Sequence, residues 1–325
     1  METTKTYNWG ILGAGKIAAK FVDDLHKVPG AKVYAVASRS LDRAAEFANT
    51  NNVSKAYGSY LELVHDKEID IIYIATPHVF HFDHTMLALE HKKAVLCEKP
   101  FAMNREQVVE MIAKAKKENV FLMEALWTYF LPHYQYVLKL IATKKYGKLK
   151  ELKADFGFEA PYNREKRIFN KELGGGSLLD VGIYPVFAAL TTLGIPDKIT
   201  AHAQIGETGV DENCDIQFNY KDGAIANLKS SIKETTPTEA ILKFEDAVIT
   251  INSRFHQPSS ITIKTEKREE TINFEVDTHG YNFEVIHVQE MLSENRTESN
   301  IMSFEKSLEL IDLLDTIRKR IGLEY

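Results

Sequence analysis

At 325 residues, 44% hydrophobic and 26% charged, the chain has the composition of an ordinary globular protein and enough length for two cores. Its formal net charge of -6 leaves no basic excess with which to meet nucleic acid or an anionic membrane, so small molecules are the expected ligands. The opening METTKTYNWGILGAGK has no apolar signal core, and no later stretch approaches the length of a bilayer span, so a cytoplasmic address is expected. Cys97 and Cys214 stand far apart without CxxC or Cys/His ligand spacing, so neither a disulfide framework nor a metal site is called for.

Short β-branched runs at 8–12, 31–37, 69–75 and 94–98 alternate with helical spacing at 17–25, 41–50, 60–65 and 81–90, the pattern of consecutive βαβ units on a parallel sheet. Asn104 is placed to cap a helix running to Glu118, and 120–123 reads as one more buried strand. A Rossmann-type dinucleotide-binding domain is therefore expected over 1–124. From there the grammar changes. Strand-like runs at 148–159, 198–204, 213–220, 224–232, 240–244, 248–252, 260–265 and 270–277 follow one another with few helices between. Ile261 and Ile263, then Ile272, Phe274 and Val276, alternate with polar residues, as in antiparallel strands with one buried face. Asp222-Gly223 supplies a hairpin turn. An α+β domain with one large open, mostly antiparallel sheet is expected over 125–325, ending in an amphipathic helix over 304–320.

The segment Gly13-Ala14-Gly15-Lys16-Ile17-Ala18 closes the first strand and opens the first helix in the pattern GxGxxA. Gly13 permits the tight turn, Gly15 lets the backbone approach a pyrophosphate, Lys16 and Ile17 start the helix, and Ala18 lets it sit close to the sheet. Where an NAD-selective site usually places an acid on the ribose 2′-hydroxyl, the second strand ends Ser38-Arg39-Ser40. Arg39, with Arg43 one turn on and the hydroxyls of Ser38 and Ser40, suits a 2′-phosphate, so NADP is expected over NAD.

Two further segments carry chemistry. Glu98-Lys99-Pro100 follows a strand, and a lysine at the carboxyl end of a parallel strand points to the ligand crevice. The run Gly174-Gly175-Gly176-Ser177 breaks the chain before a helix on which Asp180 and Tyr184, four apart, share a face. Hydride transfer to or from a carbinol needs a group to move the hydroxyl proton. Tyr184 can do so if a cation such as Lys99 favours its phenolate, with Asp180 orienting lysine or substrate.

Through GILGAGKIA, ATPHVFH, LCEKP, MEALWTYFLP, GGGSLLDVGIYPV and ESNIMSFEKSLELID the chain resembles, over its whole length, the Gfo/Idh/MocA family, and most closely its dimeric dihydrodiol dehydrogenase and glucose-fructose oxidoreductase branch. The resemblance implies Lys99 and Tyr184 as the proton-transfer pair, assisted by Asp180. It also implies Thr76, Pro77 and His78, followed by His81, along the nicotinamide ribose, and Glu98 at the cofactor or the turn. Trp127 and Phe156 match aromatic positions of the substrate pocket. Tyr129 stands where relatives commonly have Arg, a departure that weakens the carry-over of their substrate choice to this chain. The implied substrate is a sugar, sugar derivative or cyclic diol, and the implied assembly a homodimer or homotetramer through the C-terminal sheet. The competing readings are an NAD-dependent glycosidase of the same fold, which shows no net redox change, and a silent dinucleotide-binding regulator, which has no use for Lys99, Asp180 and Tyr184.

Overall fold

A computed structural model describes residues 5–325. Its strands, in chain order, are β1 (Tyr7–Leu12), β2 (Ala31–Ala37), β3 (Lys55–Tyr57), β4 (Ile71–Ile74), β5 (Ala94–Glu98), β6 (Leu122–Ala125), β7 (Leu149–Gly157), β8 (Lys198–Ile205), β9 (Asp211–Asn219), β10 (Ile225–Ser231), β11 (Ala240–Phe244), β12 (Val248–Ile251), β13 (Ile261–Lys264) and β14 (Glu269–Ile272). The α-helices are α1 (Lys16–Leu25), α2 (Leu41–Thr50), α3 (Tyr60–His65), α4 (His81–Glu90), α5 (Arg105–Glu118), α6 (Pro132–Ala142), α7 (Ile183–Leu193), α8 (Tyr281–Ser293) and α9 (Phe304–Ile321). Two compact units result: the residues up to Tyr129 with Asp277–Leu308, and Phe130–Val276 with Glu309–Tyr325.

The first unit is built on a six-stranded parallel sheet in the order β3-β2-β1-β4-β5-β6. Helices cover both faces, so β1, β4 and β5 are nearly continuous runs of buried residues. Phe21 of α1 stacks on Tyr73 of β4, ring centroids 3.6 Å apart. The strand order reverses between β1 and β4, which opens a crevice at the carboxyl ends of those strands. Residues 277–308, read from the sequence within 125–325, pack with this unit. Buried Asp24, on α1, accepts the backbone N–H groups of His279 and Tyr281, both at 2.9 Å, and so caps α8 from outside its own sequence.

The second unit holds an eight-stranded sheet in the order β14-β13-β12-β11-β7-β10-β9-β8. All its neighbours are antiparallel except β7 and β10. Alternate residues such as Leu152, Ile216, Leu228, Leu242, Ile249 and Ile263 are buried on one face, and α7 packs against β7 and β10. The Asp222-Gly223 turn forms as expected, with Gly223 at φ +86° and Tyr220 and Ala224 hydrogen-bonded across it. The last strand ends at Ile272 rather than 277, and the ring of Phe274 lies instead against His133 and Tyr136.

Contrary to the expectation that no segment approaches span length, Lys171–Leu193 is long and apolar enough to cross a bilayer by length and composition. The most apolar 18-residue window within it is 89% buried inside the protein, and every residue of α7 up to Leu190 is buried, which identifies a core helix.

Candidate active site

The residues predicted for function form two groups, one in each unit. In the first unit, Gly13 adopts φ +110°, and a Cβ there would lie 2.9 Å from the Ala75 carbonyl oxygen, so only glycine fits the turn. Gly15 is the N-cap of α1. A Cβ on it would meet nothing closer than 4.0 Å, no side chain caps the helix, and its first turn carries no acid. Open space thus lies before an uncapped helix N-terminus, a fit for a diphosphate. Lys16 and Ile17 are exposed beside it, whereas Ala18 is fully buried against the sheet.

At the end of β2, Ser38 is buried and Arg39 and Arg43 are exposed. The Ser40 hydroxyl accepts the backbone N–H of Arg43 at 3.4 Å, capping α2 and leaving its own hydrogen to donate. Two residues absent from the sequence reading join this corner. Burial raises the pKa of Tyr60 while Arg39 and Arg43 pull it the other way, and the Tyr60 ring meets His84 edge-on at 4.6 Å. Burial, then Arg39, pushes His84 down to about 4, and its Nδ1 lies 3.0 Å from Thr76 Oγ1. A neutral imidazole and a phenol therefore flank the two guanidinium groups.

Thr76, Pro77 and buried His78 occupy the carboxyl end of β4. His81, 1% exposed, has its ring nitrogens 2.8 Å from the carbonyl oxygens of Thr76 and Pro100. Burial pushes its pKa down to about 4, so the neutral ring donates to one carbonyl at a time. It pins the β4 end to the turn that follows β5. In that turn Lys99 is half-buried, and its neighbour Glu98 accepts the Tyr73 hydroxyl. Burial raises the Glu98 carboxyl, against the pull of Lys99 and Tyr73. Glu124 accepts the Phe101 N–H at 3.0 Å and is pushed up to about 7 by burial. Glu284 is fully buried, neither carboxyl oxygen has a hydrogen-bond partner among the described residues, and burial, then the charges of Glu98 and Asp24, raises its carboxyl well above the ordinary value. Trp127 lies flat on Tyr281 at 4.4 Å.

In the second unit the predicted α-helix carrying Asp180 and Tyr184 opens instead with a π turn, Leu178–Gly182, before α7. Pro185 has no N–H for the Val181 carbonyl and its ring would clash there, so the widened turn relieves an α-helical conflict. Tyr184 is 7% exposed, with its ring 5.7 Å from Phe156 and 4.9 Å from His256. Phe156 and His256 stack on each other at 4.2 Å. Asp180 pairs with the Arg167 guanidinium at 2.5 Å, a partner from the 160–173 loop that the sequence reading did not single out. His256, Glu124 and Tyr281 were likewise not singled out. Glu124 lies inside the MEALW segment, whereas a lone His in a loop or a lone Tyr opening a helix carries no signal.

Residues 7–126 match the model of an oxidoreductase family with an NAD-binding Rossmann fold, and residues 134–267 match the GFO/IDH/MocA C-terminal domain. Trans-1,2-dihydrobenzene-1,2-diol dehydrogenase of Xenopus tropicalis is 39% identical, over 98% of both chains, and that of Homo sapiens 34%, over 98% of this chain and 97% of its own. A 3-ketoreductase from Actinomadura kijaniata, solved with NADP, superposes with a TM-score of 0.89 at 22% identity, over 98% of each chain. An aldose-aldose oxidoreductase from Caulobacter crescentus does so with 0.89 at 21%, again over 98% of each, and both likenesses concern the fold. An uncapped glycine turn on a parallel sheet, a lysine after β5, an Asp/Tyr turn on a second open sheet and these full-length matches agree: the chain belongs to the Gfo/Idh/MocA family of NAD(P)-binding oxidoreductases.

Proposed function

We propose that this enzyme is an NADP-dependent dehydrogenase that moves a hydride between the nicotinamide and a carbinol carbon of a cyclic diol, sugar or sugar derivative. The observation that carries the reading is the full-length similarity to trans-1,2-dihydrobenzene-1,2-diol dehydrogenases, because it spans both domains rather than the cofactor fold alone. When bound, NADP supplies the hydride acceptor or, reduced, the donor. In the oxidation direction the Tyr184 phenolate takes the hydroxyl proton, and in reduction the phenol returns it. The Lys99 ammonium favours the phenolate by charge. Burial raises the Glu98 and Glu124 carboxyls against the pull of Lys99, which limits how far they offset its charge. Asp180, held by Arg167, orients the substrate hydroxyl. Phe156 offers a face to the apolar side of a ring, and Trp127, backed by Tyr281, offers another.

Cofactor choice follows from β2. With no acid at its end, Arg39 and Arg43 take the 2′-phosphate, Ser38 and Ser40 add hydroxyls, Gly13, Gly15, Lys16 and Ile17 frame the diphosphate, and Thr76, Pro77, His78 and His81 line the ribose. We also infer a homodimer or homotetramer through the open face of the second sheet. There Lys153, Asp155, His202, Asp215 and Lys229 surround a shallow hollow of about 460 Å³, and both signs of charge on one face suit pairing with a second copy. Light scattering at micromolar concentration returning a monomer would remove that part.

The test is NADPH formation across trans-1,2-dihydrobenzene-1,2-diol, aldoses and inositols, with Lys99→Met and Tyr184→Phe alongside. Net NADPH production that both variants abolish, while each still binds NADPH, is the expected result. Turnover of a glycoside without net NADPH change would turn the reading to glycoside hydrolysis, and full turnover in both variants would remove the assigned chemistry.

A further inference from the structure

We propose that Asp211 and Tyr325 are positioning residues that together hold the turn that bears Asp180 and leads into Tyr184. The inference rests on the assignment of those two side chains to the reaction. It starts from a missing cap. Ser177 precedes the π turn, yet its hydroxyl does not cap the turn's own amides. It donates instead to Asp211 Oδ2 at 2.7 Å, and the Leu178 N–H donates to the same oxygen at 2.7 Å. The helix start is thus capped by a carboxylate 33 residues along the chain, at the head of β9, so the sheet and not the local sequence fixes where the π turn begins. The far end of the turn is fixed too. A Cβ on Gly182 would lie 2.8 Å from Ser230 Oγ, and that hydroxyl is 2.9 Å from Ser177 Oγ.

Tyr325 closes the other side. Its hydroxyl donates to the Gly175 carbonyl at 2.6 Å, and Arg318 lies 5.6 Å from its ring centroid. Gly176, at φ +118°, could carry no side chain. A Cβ there would fall 2.1 Å from Asp211 Oδ1 and 3.2 Å from Tyr325 Oη, so both groups press on one strand of backbone. The N–H groups of Gly175 and Gly176 in turn donate to the carbonyls of Asn170 and Ile168 at 2.8 Å each, in the loop whose Arg167 grips Asp180. One unbroken series of contacts therefore runs from Tyr325 through the glycine turn and the 167–170 loop to Asp180. A second runs from Asp211 through Leu178 into the turn ahead of Tyr184. Asp211 is fully buried and Oδ1 has no hydrogen-bond partner among the described residues, a cost that fold stability alone does not call for.

The experiment compares Tyr325→Phe, Tyr325→Ala and Tyr184→Phe with the parent enzyme, reading kcat, the primary isotope effect with deuterated NADPH, NADPH affinity and Tm. Tyr325→Phe keeps the ring over Arg318 and loses only the bond to Gly175. The expected result is a kcat lowered about tenfold, a larger isotope effect as chemistry becomes slower than release, and NADPH affinity and Tm close to the parent's. A parental kcat and isotope effect in Tyr325→Phe would overturn the inference. So would a series in which kcat falls only in step with Tm. If Tyr184→Phe itself turns over at the parental rate, the failure lies in the underlying assignment instead.

Discussion

Replacing Arg39 by Asp tests the cofactor reading most directly, because the side chain is exposed on the strand end and its loss leaves no buried group unpaired. Charge-assisted hydrogen bonds from a guanidinium to a phosphate are worth about 1.5–3 kcal/mol, and exposure places Arg39 toward the lower end. The substituted carboxylate adds repulsion toward the 2′-phosphate, which brings the loss for NADPH to about 2–3 kcal/mol, or about 30- to 150-fold in Kd. For NADH the same carboxylate can accept from the free 2′-hydroxyl, so affinity holds or improves. Arg43 remains one turn away, so some phosphate affinity survives. Fluorescence titration of both reduced cofactors gives the ratio of their Kd values, which should move by about two orders of magnitude toward NADH. A ratio unchanged within about threefold would refute the assignment of Arg39 to the phosphate.

Lys99→Met and Tyr184→Phe should each lower kcat by about 10²- to 10⁴-fold with NADPH binding kept, as expected for loss of a proton-transfer partner, in single-turnover assays. Asp24→Ala strips two backbone amides, one of them buried, of their acceptor, and should cost about 2–3 kcal/mol in urea unfolding, seen as a lower midpoint at unchanged slope. His81 titrates near 4 in the folded protein against an ordinary 6.5, so the unfolded chain binds the extra proton between those values. Its contribution, about 3 kcal/mol, is complete above pH 6.5 and is lost as pH falls toward 4. His81→Gln should flatten that part of the stability curve measured by denaturation at stepped pH, and an equally steep acid limb in the variant would show that the slope arises elsewhere.

Much of the first unit was legible because its elements carry their own boundary chemistry. Residues 31–37, 41–50, 81–90 and 94–98 fall where read, and Asn104 caps α5 by accepting the Gln107 N–H. The strand runs of the second sheet were legible from alternation, since one face is buried. What stayed hidden depends on distant partners. Strand β3 is a three-residue edge strand, too short to show a pattern. Helix α8 is capped by Asp24, more than 250 residues away, so no local signal announces its start or the unit it joins. The π turn that holds Asp180 and leads into Tyr184 is not legible, because spacing by four reads as an α-helix and only Pro185 hints at the conflict. Arg167 and His256 lie in loops whose sequence has no periodicity to give them away.

The places where local rules fail are the ones assigned to function. A glycine N-cap in place of Ser or Asp leaves α1 uncapped, buried carboxyls end β5 and sit within β6, and a π turn capped from another strand leads into the helix that carries the phenol. Each is a destabilising choice taken alone, and each sits on a rigid element rather than a free loop. Consistency elsewhere in the chain, in caps, alternation and turns, offsets these costs. Gly176→Ala, whose Cβ would fall 2.1 Å from Asp211 Oδ1, should lower Tm and turnover together, while the separate GxGxxA turn still binds NADPH. Measuring Tm, NADPH affinity and kcat for that variant tests the point, and a parental Tm and kcat would mean that the close approach of Asp211 places no demand on the turn.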